Sequence, residues 1–201
     1  MSPAKVTLSP KELELVNNAD WILTKNTVIS KVYDLFGQLS RTYGSELEKY
    51  PSLAKEIDFR SPKISKGEQY EGLPWIILDH PRHFTKTDTF AIRSFFWWGN
   101  YCSITLQLSG NSLEKYAPAL QKYVDSTKSE GWYTGIGNDP WKHHFEADNY
   151  IPLEKNMALN FSQQPFIKLA KKNPLTDWDR LPVFFEESYR EILRMLGGEN
   201  S

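Results

Sequence analysis

Apolar and polar residues alternate with a period of two through residues 73–109, and the rest of the chain is organised around this stretch. The alternation is clearest in its last third. A period of two with one apolar and one polar face is typical of a half-buried antiparallel strand. One face carries Cys102, Ile104, Leu106 and Leu108, and the other carries Tyr101, Ser103, Thr105, Gln107 and Ser109.

The middle part of this stretch, residues 90–98, has bulky residues on both faces. This is typical of a central strand whose two faces are both covered by other parts of the protein. Between these two runs stands Gly99-Asn100, two residues that tolerate the positive φ of a tight hairpin. The first run, residues 75–78, is short and apolar, and Pro74 and Pro81 are expected to delimit it because proline cannot donate to a strand ladder. Together the three runs predict an antiparallel meander.

Helices are predicted on both sides of the meander. Ser9 can cap a helix that begins at Pro10, and Glu12 stands three residues after Ser9, as in a capping box. Residues 17–20 predict a break, and Gly44 predicts the end of a longer second helix. Apolar residues recur at helical spacing at Val28, Val32, Leu35, Phe36 and Leu39, and finally over residues 181–196. A further helical stripe contains Leu113, Tyr116, Ala117, Leu120 and Val124. Pro118 interrupts it, so either this helix kinks there or the main helix begins near Pro118.

Four further elements are predicted from shorter patterns: a helical piece over residues 46–50, strands over residues 132–136 and 157–161, and a helix from Ser162 to about Lys172. Residues 57–72 are rich in charge, Ser, Pro and Gly, and they predict a long surface loop. The order of helices, then strands, then helices predicts an α+β fold. We expect a single domain over residues 1–201, frayed at 1–8 and 197–201, with a mainly antiparallel sheet of about four or five strands and helices chiefly on one face.

Composition narrows the class of protein. The chain has 201 residues and 40% hydrophobic residues, enough for a sizeable core, and its net charge of −1 gives no field that would attract nucleic acid or acidic membranes. The single cysteine, Cys102, excludes an intrachain disulfide framework. No signal peptide or membrane-spanning run is found in the sequence, so we expect a cytoplasmic protein with no membrane partner.

Aromatic residues on one sheet face indicate a ligand-binding pocket. Ligand sites are mostly apolar with a few placed polar groups, and Arg93 alternates onto the face of Trp97, where it could recognise an anion. The loops at residues 57–72 and 135–150 would close this pocket. The alternative is that the tryptophans are ordinary core residues and Arg93 pairs with an acid. The predicted ligand-binding residues are Trp75, Arg93, Trp97, Trp132 and Trp141.

The histidines suggest a different function, that of a small metal-dependent enzyme. Neutral imidazoles and carboxylates are common ligands of divalent metals, although the spacing matches no metal motif. The candidate ligands are His80, His83, His143 and His144, with Asp79, Asp88, Asp139, Glu146 and Asp148 as nearby acids. A third hypothesis is a protein–protein interaction module with aromatic residues in a flat exposed patch. The cluster of Lys168, Lys171 and Lys172 is interpreted as the basic end of a helix and is too small to indicate nucleic-acid binding.

Overall fold

A computed structural model describes residues 6–56, 59–126, 130–159 and 164–197. Within these residues the chain forms five α-helices, seven strands and one 3-10 helix, Leu175–Arg180, which precedes the last α-helix. The helices are α1 (Pro10–Val16), α2 (Ala19–Leu47), α3 (Pro51–Glu56), α4 (Gly110–Asp125) and α5 (Leu181–Gly197). The strands are β1 (Lys63–Tyr70), β2 (Leu73–Phe84), β3 (Thr89–Trp97), β4 (Tyr101–Ser109), β5 (Tyr133–Gly135), β6 (Tyr150–Pro152) and β7 (Phe166–Pro174).

All seven strands belong to one sheet with the order β1-β2-β3-β4-β7-β5-β6, and every neighbouring pair is antiparallel. The first four strands follow one another as hairpins. The chain then leaves the sheet through α4 and returns to add the short β5 and β6, before β7 inserts beside β4. The α+β class is therefore confirmed, but the described residues contain seven strands where about four or five were expected.

The helices cover one face of the sheet, which we call the helix-covered face. Its apolar side chains include Ile92, Leu106 and Leu169, and they form one cluster with residues of α2, α4 and α5. On the opposite face, which we call the second face, lie Trp75, Asp79, Arg93, Phe95 and Lys168. The loop between β5 and β6, residues 136–149, crosses this second face and contacts it through ring contacts and hydrogen bonds.

Several predictions from periodicity are confirmed. Cys102, Ile104, Leu106 and Leu108 all belong to the cluster on the helix-covered face. Strand β3 is buried on both faces along nearly its whole length, as a central strand should be. The capping box of Ser9 and Glu12 is formed at the start of α1, and the last helix occupies Leu181–Gly197. None of the helices in the described ranges is long and apolar enough to cross a membrane.

The prediction of a long loop at residues 57–72 is wrong for half of its length, because residues 63–70 form the edge strand β1, and residues 57 and 58 lie outside the described residues. An edge strand is exposed along one side and needs no apolar alternation, so its polar sequence resembles that of a loop. The first strand of the meander is also longer than predicted. It continues past Pro81, where a cis peptide bond after His80 coincides with an irregularity in the pairing with β3.

The helix predicted from Ser162 to Lys172 is also wrong, because residues 166–174 form β7 in the middle of the sheet. Ser162 itself lies outside the described residues. Lys168 is charged and yet fully buried, so the sequence around it does not show the apolar pattern expected of a buried strand. Of the strand predicted at residues 157–161, residues 157–159 have no regular structure and residues 160–161 lie outside the described ranges.

Two helix boundaries in the structure differ from the predicted ones. Helix α2 continues through Gly44 to Leu47, because Gly44 lies inside the packed part of the helix, where a Cβ would stand 3.6 Å from His80. The short helical piece predicted at residues 46–50 is replaced by α3, which begins at Pro51. Proline is well suited to the first position of a helix because its missing N–H has no partner there.

Candidate functional site

A groove of about 510 Å³ opens on the second face of the sheet. Strands β1, β2 and β3 form its floor and one wall, and the 136–149 loop forms the other wall. Pockets of this size are typical of small-molecule sites. The residues that matter for its chemistry are Tyr70, Trp75, Asp79, Arg93, Trp141 and His143, all of which line it.

The floor of the groove contains a buried ion pair between Arg93 and Asp79. Arg93 Nε donates to Asp79 Oδ1 at 2.7 Å and Arg93 Nη2 donates to Asp79 Oδ2 at 3.2 Å, so the pair is bidentate. The two residues are 5% and 8% exposed. They stand on β3 and β2 as direct partners in the sheet register, which fixes their geometry. Such a pair has no net charge, but it is costly to bury and strongly polar.

The guanidinium of Arg93 also contacts the 136–149 loop. Its Nη1 lies 3.5 Å from His143 Nε2, at the outer limit for a hydrogen bond, and its Cζ lies 5.2 Å from the centre of the Trp141 ring. Burial, followed by the charges of Arg93 and Lys168, holds the pKa of His143 well below its usual range. His143 is therefore neutral at neutral pH, and its Nε2 can accept a hydrogen bond from Arg93.

Aromatic rings make up the apolar part of the groove. The Trp75 ring lies directly over Gly67 of the neighbouring strand, so close that a Cβ at Gly67 would stand 2.6 Å from the ring. Phe95 lies beside Arg93 on the floor, and its ring centre is 4.9 Å from that of His143. Trp141 is half exposed and stands at the opening. The absence of a side chain at residue 67 therefore decides where the wall formed by Trp75 stands.

The hydroxyl of Tyr70 fixes the loop against the sheet. It accepts hydrogen bonds from the backbone N–H of His143 at 2.6 Å and of His144 at 3.1 Å, and it lies 3.3 Å from His144 Nδ1. His144 Nε2 is in turn 3.2 Å from Asp148 Oδ1. Burial is the main reason why the pKa of Tyr70 is raised, so its hydroxyl stays protonated. We therefore assign Tyr70 to positioning the wall of the groove.

Lys168 makes a second attachment between the loop and the sheet. Its Nζ donates to the carbonyl oxygens of Lys142 at 2.8 Å and Asp139 at 3.3 Å, and to Asn149 Oδ1 at 3.0 Å. The side chain is fully buried, and this burial lowers the pKa of Lys168 to about 8. A lysine in the middle of the sheet thus holds both ends of the segment that carries Trp141 and His143.

The predicted ligand-binding residues are only partly brought together. Arg93, Trp75 and Trp141 line the groove, and Trp97 lies next to it, where its Nε1 donates to the carbonyl oxygen of Tyr70 at 3.2 Å. Trp132 lies on the helix-covered face and donates to Glu191 of α5 at 2.9 Å. It therefore cannot reach a pocket with Arg93, because Tyr133, and not Trp132, occupies the strand position that faces the second face.

The four histidines are not brought together. His80 lies on the helix-covered face, 6.3 Å from the Tyr43 ring, and burial lowers its pKa. His83 pairs with Asp88 at 3.3 Å near the β2–β3 hairpin, whereas His143 and His144 belong to the loop on the second face. In the described parts of the chain, no group of three or more His, Cys, Asp or Glu side chains is placed to hold a metal ion.

Sequence reasoning missed three residues of the site. Tyr70 and Gly67 were assigned to a loop, and Lys168 was assigned to a helix end. No clear signal marked Lys168, because the apolar residues Phe166, Ile167, Leu169 and Ala170 occupy both sides of the strand and the lysine interrupts them. No local signal marks Tyr70, since its hydroxyl partners lie more than seventy residues away along the chain.

Comparison of this chain with models of protein families, with curated proteins and with solved structures finds no match in any of the three. The geometry of the groove therefore has to carry any proposal about function by itself.

Proposed function

We propose that the groove on the second face binds a small planar ligand that carries a hydrogen-bond acceptor, such as a carboxylate or an amide. The observation that carries this proposal is the combination, in one groove, of aromatic rings with a buried guanidinium. A binding site of this kind is mostly apolar and has a few polar groups that orient the ligand.

The hydrogen bonds of Arg93 indicate which group of the ligand it would recognise. A guanidinium can present N–H groups along its Nε–Nη2 side and along its Nη1–Nη2 end. Asp79 occupies the side, and the contact at the end is the 3.5 Å approach of His143. An acceptor on the ligand could take the Nη1–Nη2 end without breaking the ion pair. The Nη1–Nη2 end of Arg93 lies among two polar groups, Asp79 and His143, and several aromatic rings. This arrangement favours a flat ligand.

The charges of the residues in the groove indicate which chemical groups of a ligand are favoured. Asp79 already balances Arg93, and His143 is neutral, so the floor of the groove carries no net charge. At the rim, Glu68 forms an ion pair with Lys25 of α2. A ligand with an ammonium group would have to place its charge beside the guanidinium, which is unfavourable at short range. We therefore expect an amide or a carboxylate to bind better than an amine of the same shape.

A matched series of probes tests the proposal: benzoate, benzamide and benzylamine, titrated into the 201-residue protein and followed by the amide, indole and guanidinium N–H signals in NMR spectra. We expect benzamide and benzoate to shift the signals of Trp75, Trp141 and the Arg93 side chain, and benzylamine to have little effect. The Trp141→Ala variant should bind the first two probes about tenfold more weakly or worse, because it loses one aromatic wall.

Trp21→Ala is the matched control, because Trp21 is a similarly exposed tryptophan on α2 that does not line the groove and packs against Trp98. It should leave the affinity for the probes unchanged. The proposal is wrong if benzylamine binds as well as benzamide, if none of the probes shifts a signal of the groove, or if Trp141→Ala has no more effect than Trp21→Ala.

A further inference from the structure

Exposed apolar side chains are concentrated at the start of the chain. Every residue from 6 to 24 is exposed, and we call this segment the N-terminal arm. Eight of the eleven large hydrophobic residues that are exposed in the described ranges belong to it. They are Val6, Leu8, Leu13, Leu15, Val16, Trp21, Ile22 and Leu23. This concentration is unusual, since single apolar residues scattered over a surface need no explanation but a cluster marks an interaction site.

The helices of the arm have little to stabilise them within one chain. Helix α1 has seven residues and buries none of them. Isolated helices shorter than roughly 12 residues are marginal in water, so most helical stability has to come from packing of an apolar face. Within the described residues, the ring contact of the arm with the rest of the protein is that of Trp21 with Trp98, at 6.1 Å. A covering surface would supply the packing that α1 lacks.

The apolar stripe of α2 continues into the arm. From Val32 to Leu47 this stripe is buried against the sheet and α5. The same spacing of three and four residues, extended toward the N-terminus, leads from Ile29 to Ile22, with Lys25 between them, whose ammonium group forms an ion pair with Glu68. Ile29 is half-buried and Ile22 is 49% exposed, so burial decreases steadily along one stripe. The stripe extends beyond the part of the helix that the sheet covers.

We propose that the N-terminal arm is the interface of a homodimer, in which the arm of one copy packs on the arm of a second copy of this chain. A two-fold interface uses the same patch on both partners, so one apolar patch is sufficient to form it. A half-exposed large apolar side chain leaves roughly 100 Å² in solvent, so the eight residues together expose on the order of 800 Å², comparable to the area that each partner of a standard stable interface buries. Successive helical residues point about 100° apart, so the second copy covers part of this surface and not every side chain.

Charge favours a second copy over a lipid surface. The arm and the turn that follows it carry two lysines, Lys11 and Lys25, against the three acids Glu12, Glu14 and Asp20. Helices that lie on anionic membranes have an excess of Lys and Arg on their polar face, and this arm has none. Two copies of a segment with nearly balanced charge can approach each other without repulsion, and Lys11 of one copy can meet an acid of the other.

The oligomeric state of the 201-residue protein tests the proposal. Sedimentation equilibrium between about 1 and 100 μM, the weaker end of the range for interfaces of this size, should show a dimer. The variants Leu13→Asp and Ile22→Asp should each weaken dimerisation at least about 30-fold, because each charge enters the interface twice. Both side chains are exposed in one copy, so circular dichroism and thermal unfolding at low concentration should show an unchanged fold.

Val183→Asp is the matched control, since Val183 is 50% exposed on α5, outside the arm, and receives the same chemical change. Its dimerisation should equal that of the wild type. The proposal is overturned if the wild type is a monomer at 100 μM, or if it dimerises and the arm variants dimerise as well as Val183→Asp does. It is also overturned if the monomer co-sediments with vesicles containing phosphatidylserine and Ile22→Asp abolishes that binding.

Discussion

The Nζ atom of Lys168 lies 2.8 Å from the carbonyl oxygen of Lys142, so a lysine on a central strand holds the loop that forms one wall of the groove. Two further acceptors, one on each side of Lys142 in the sequence, complete the coordination of the same ammonium group. The aromatic and polar parts of the groove therefore depend on a residue that does not line it.

Replacing Lys168 should loosen this loop. In Lys168→Met the loop loses three hydrogen bonds, each worth about 1 kcal/mol, and the relief of a buried charge offsets part of that loss. We expect backbone amides in residues 139–149 to exchange with solvent about tenfold faster or more, as measured by hydrogen-exchange mass spectrometry. Lys122→Met, at an exposed position on α4 on the helix-covered side of the sheet, should leave exchange in this segment unchanged. Equal exchange in both variants would contradict the role of Lys168.

The buried position of Lys168 also predicts a dependence of stability on alkaline pH. Its pKa in the folded protein is about 8, below the ordinary value of a lysine in the unfolded chain. Between pH 8 and about 10.4 the unfolded chain binds more protons than the folded one, so the contribution of this group to the free energy of unfolding rises with pH. Below pH 8 the full penalty of the buried charge is present. Chemical denaturation at several pH values should therefore show the wild type gaining stability relative to Lys168→Met over this interval, and a constant difference would refute the assignment.

The ion pair on the floor should show strong coupling in a double-mutant cycle. Arg93→Met leaves Asp79 buried without its partner, and this should reduce the free energy of unfolding by about 3–5 kcal/mol. The double variant Arg93→Met/Asp79→Leu should regain most of that loss, because it buries no isolated charge. Urea denaturation of the four proteins measures the coupling. If the double variant is as unstable as the sum of the single variants, the two residues act independently.

Gly67 should control the position of Trp75. In Gly67→Ala the new methyl group would stand 2.6 Å from the indole, so the ring has to move away from the strand. We expect a shift of the Trp75 indole N–H signal and weaker binding of benzamide, with little change in the rest of the spectrum. Gly37→Ala is the control, because nothing lies within 4 Å of a Cβ at this position of α2. That variant should be more stable by about 0.5–1 kcal/mol and bind benzamide normally.

Local periodicity predicted the parts of the fold in which neighbouring residues determine the structure. Strand β4 shows a clean alternation and was placed at its correct residues, and the capping box at Ser9 marked the start of α1. The predictions failed where tertiary contacts reverse the usual preference. Lys168 is polar and fully buried, so β7 did not look like a strand, and the exposed edge strand β1 did not look like one either.

The candidate site was predicted in outline from the alternation of Arg93 with Phe95 and Trp97 on one strand. Trp132 was expected in the same pocket as Arg93 but lies on the helix-covered face, because alternation along one strand does not show which of its two faces is which, and the pairing with β7 decides this. His143 is part of the groove, but as a neutral neighbour of Arg93. His80 and His83 have their contacts elsewhere, and His144 contacts the hydroxyl of Tyr70 and the carboxylate of Asp148.

The sequence by itself determined the α+β class, the strands of the meander and the terminal helices, because these follow from contacts between residues a few positions apart. Only the tertiary structure decided which hydrogen-bond partners the polar residues of the second face have. Arg93 and Asp79 are 14 residues apart, Lys168 and Lys142 are 26 apart, and Tyr70 and His143 are 73 apart. These hydrogen bonds form because the strand register and the position of the loop bring distant segments together. No local pattern in the sequence predicts that these segments are close in space.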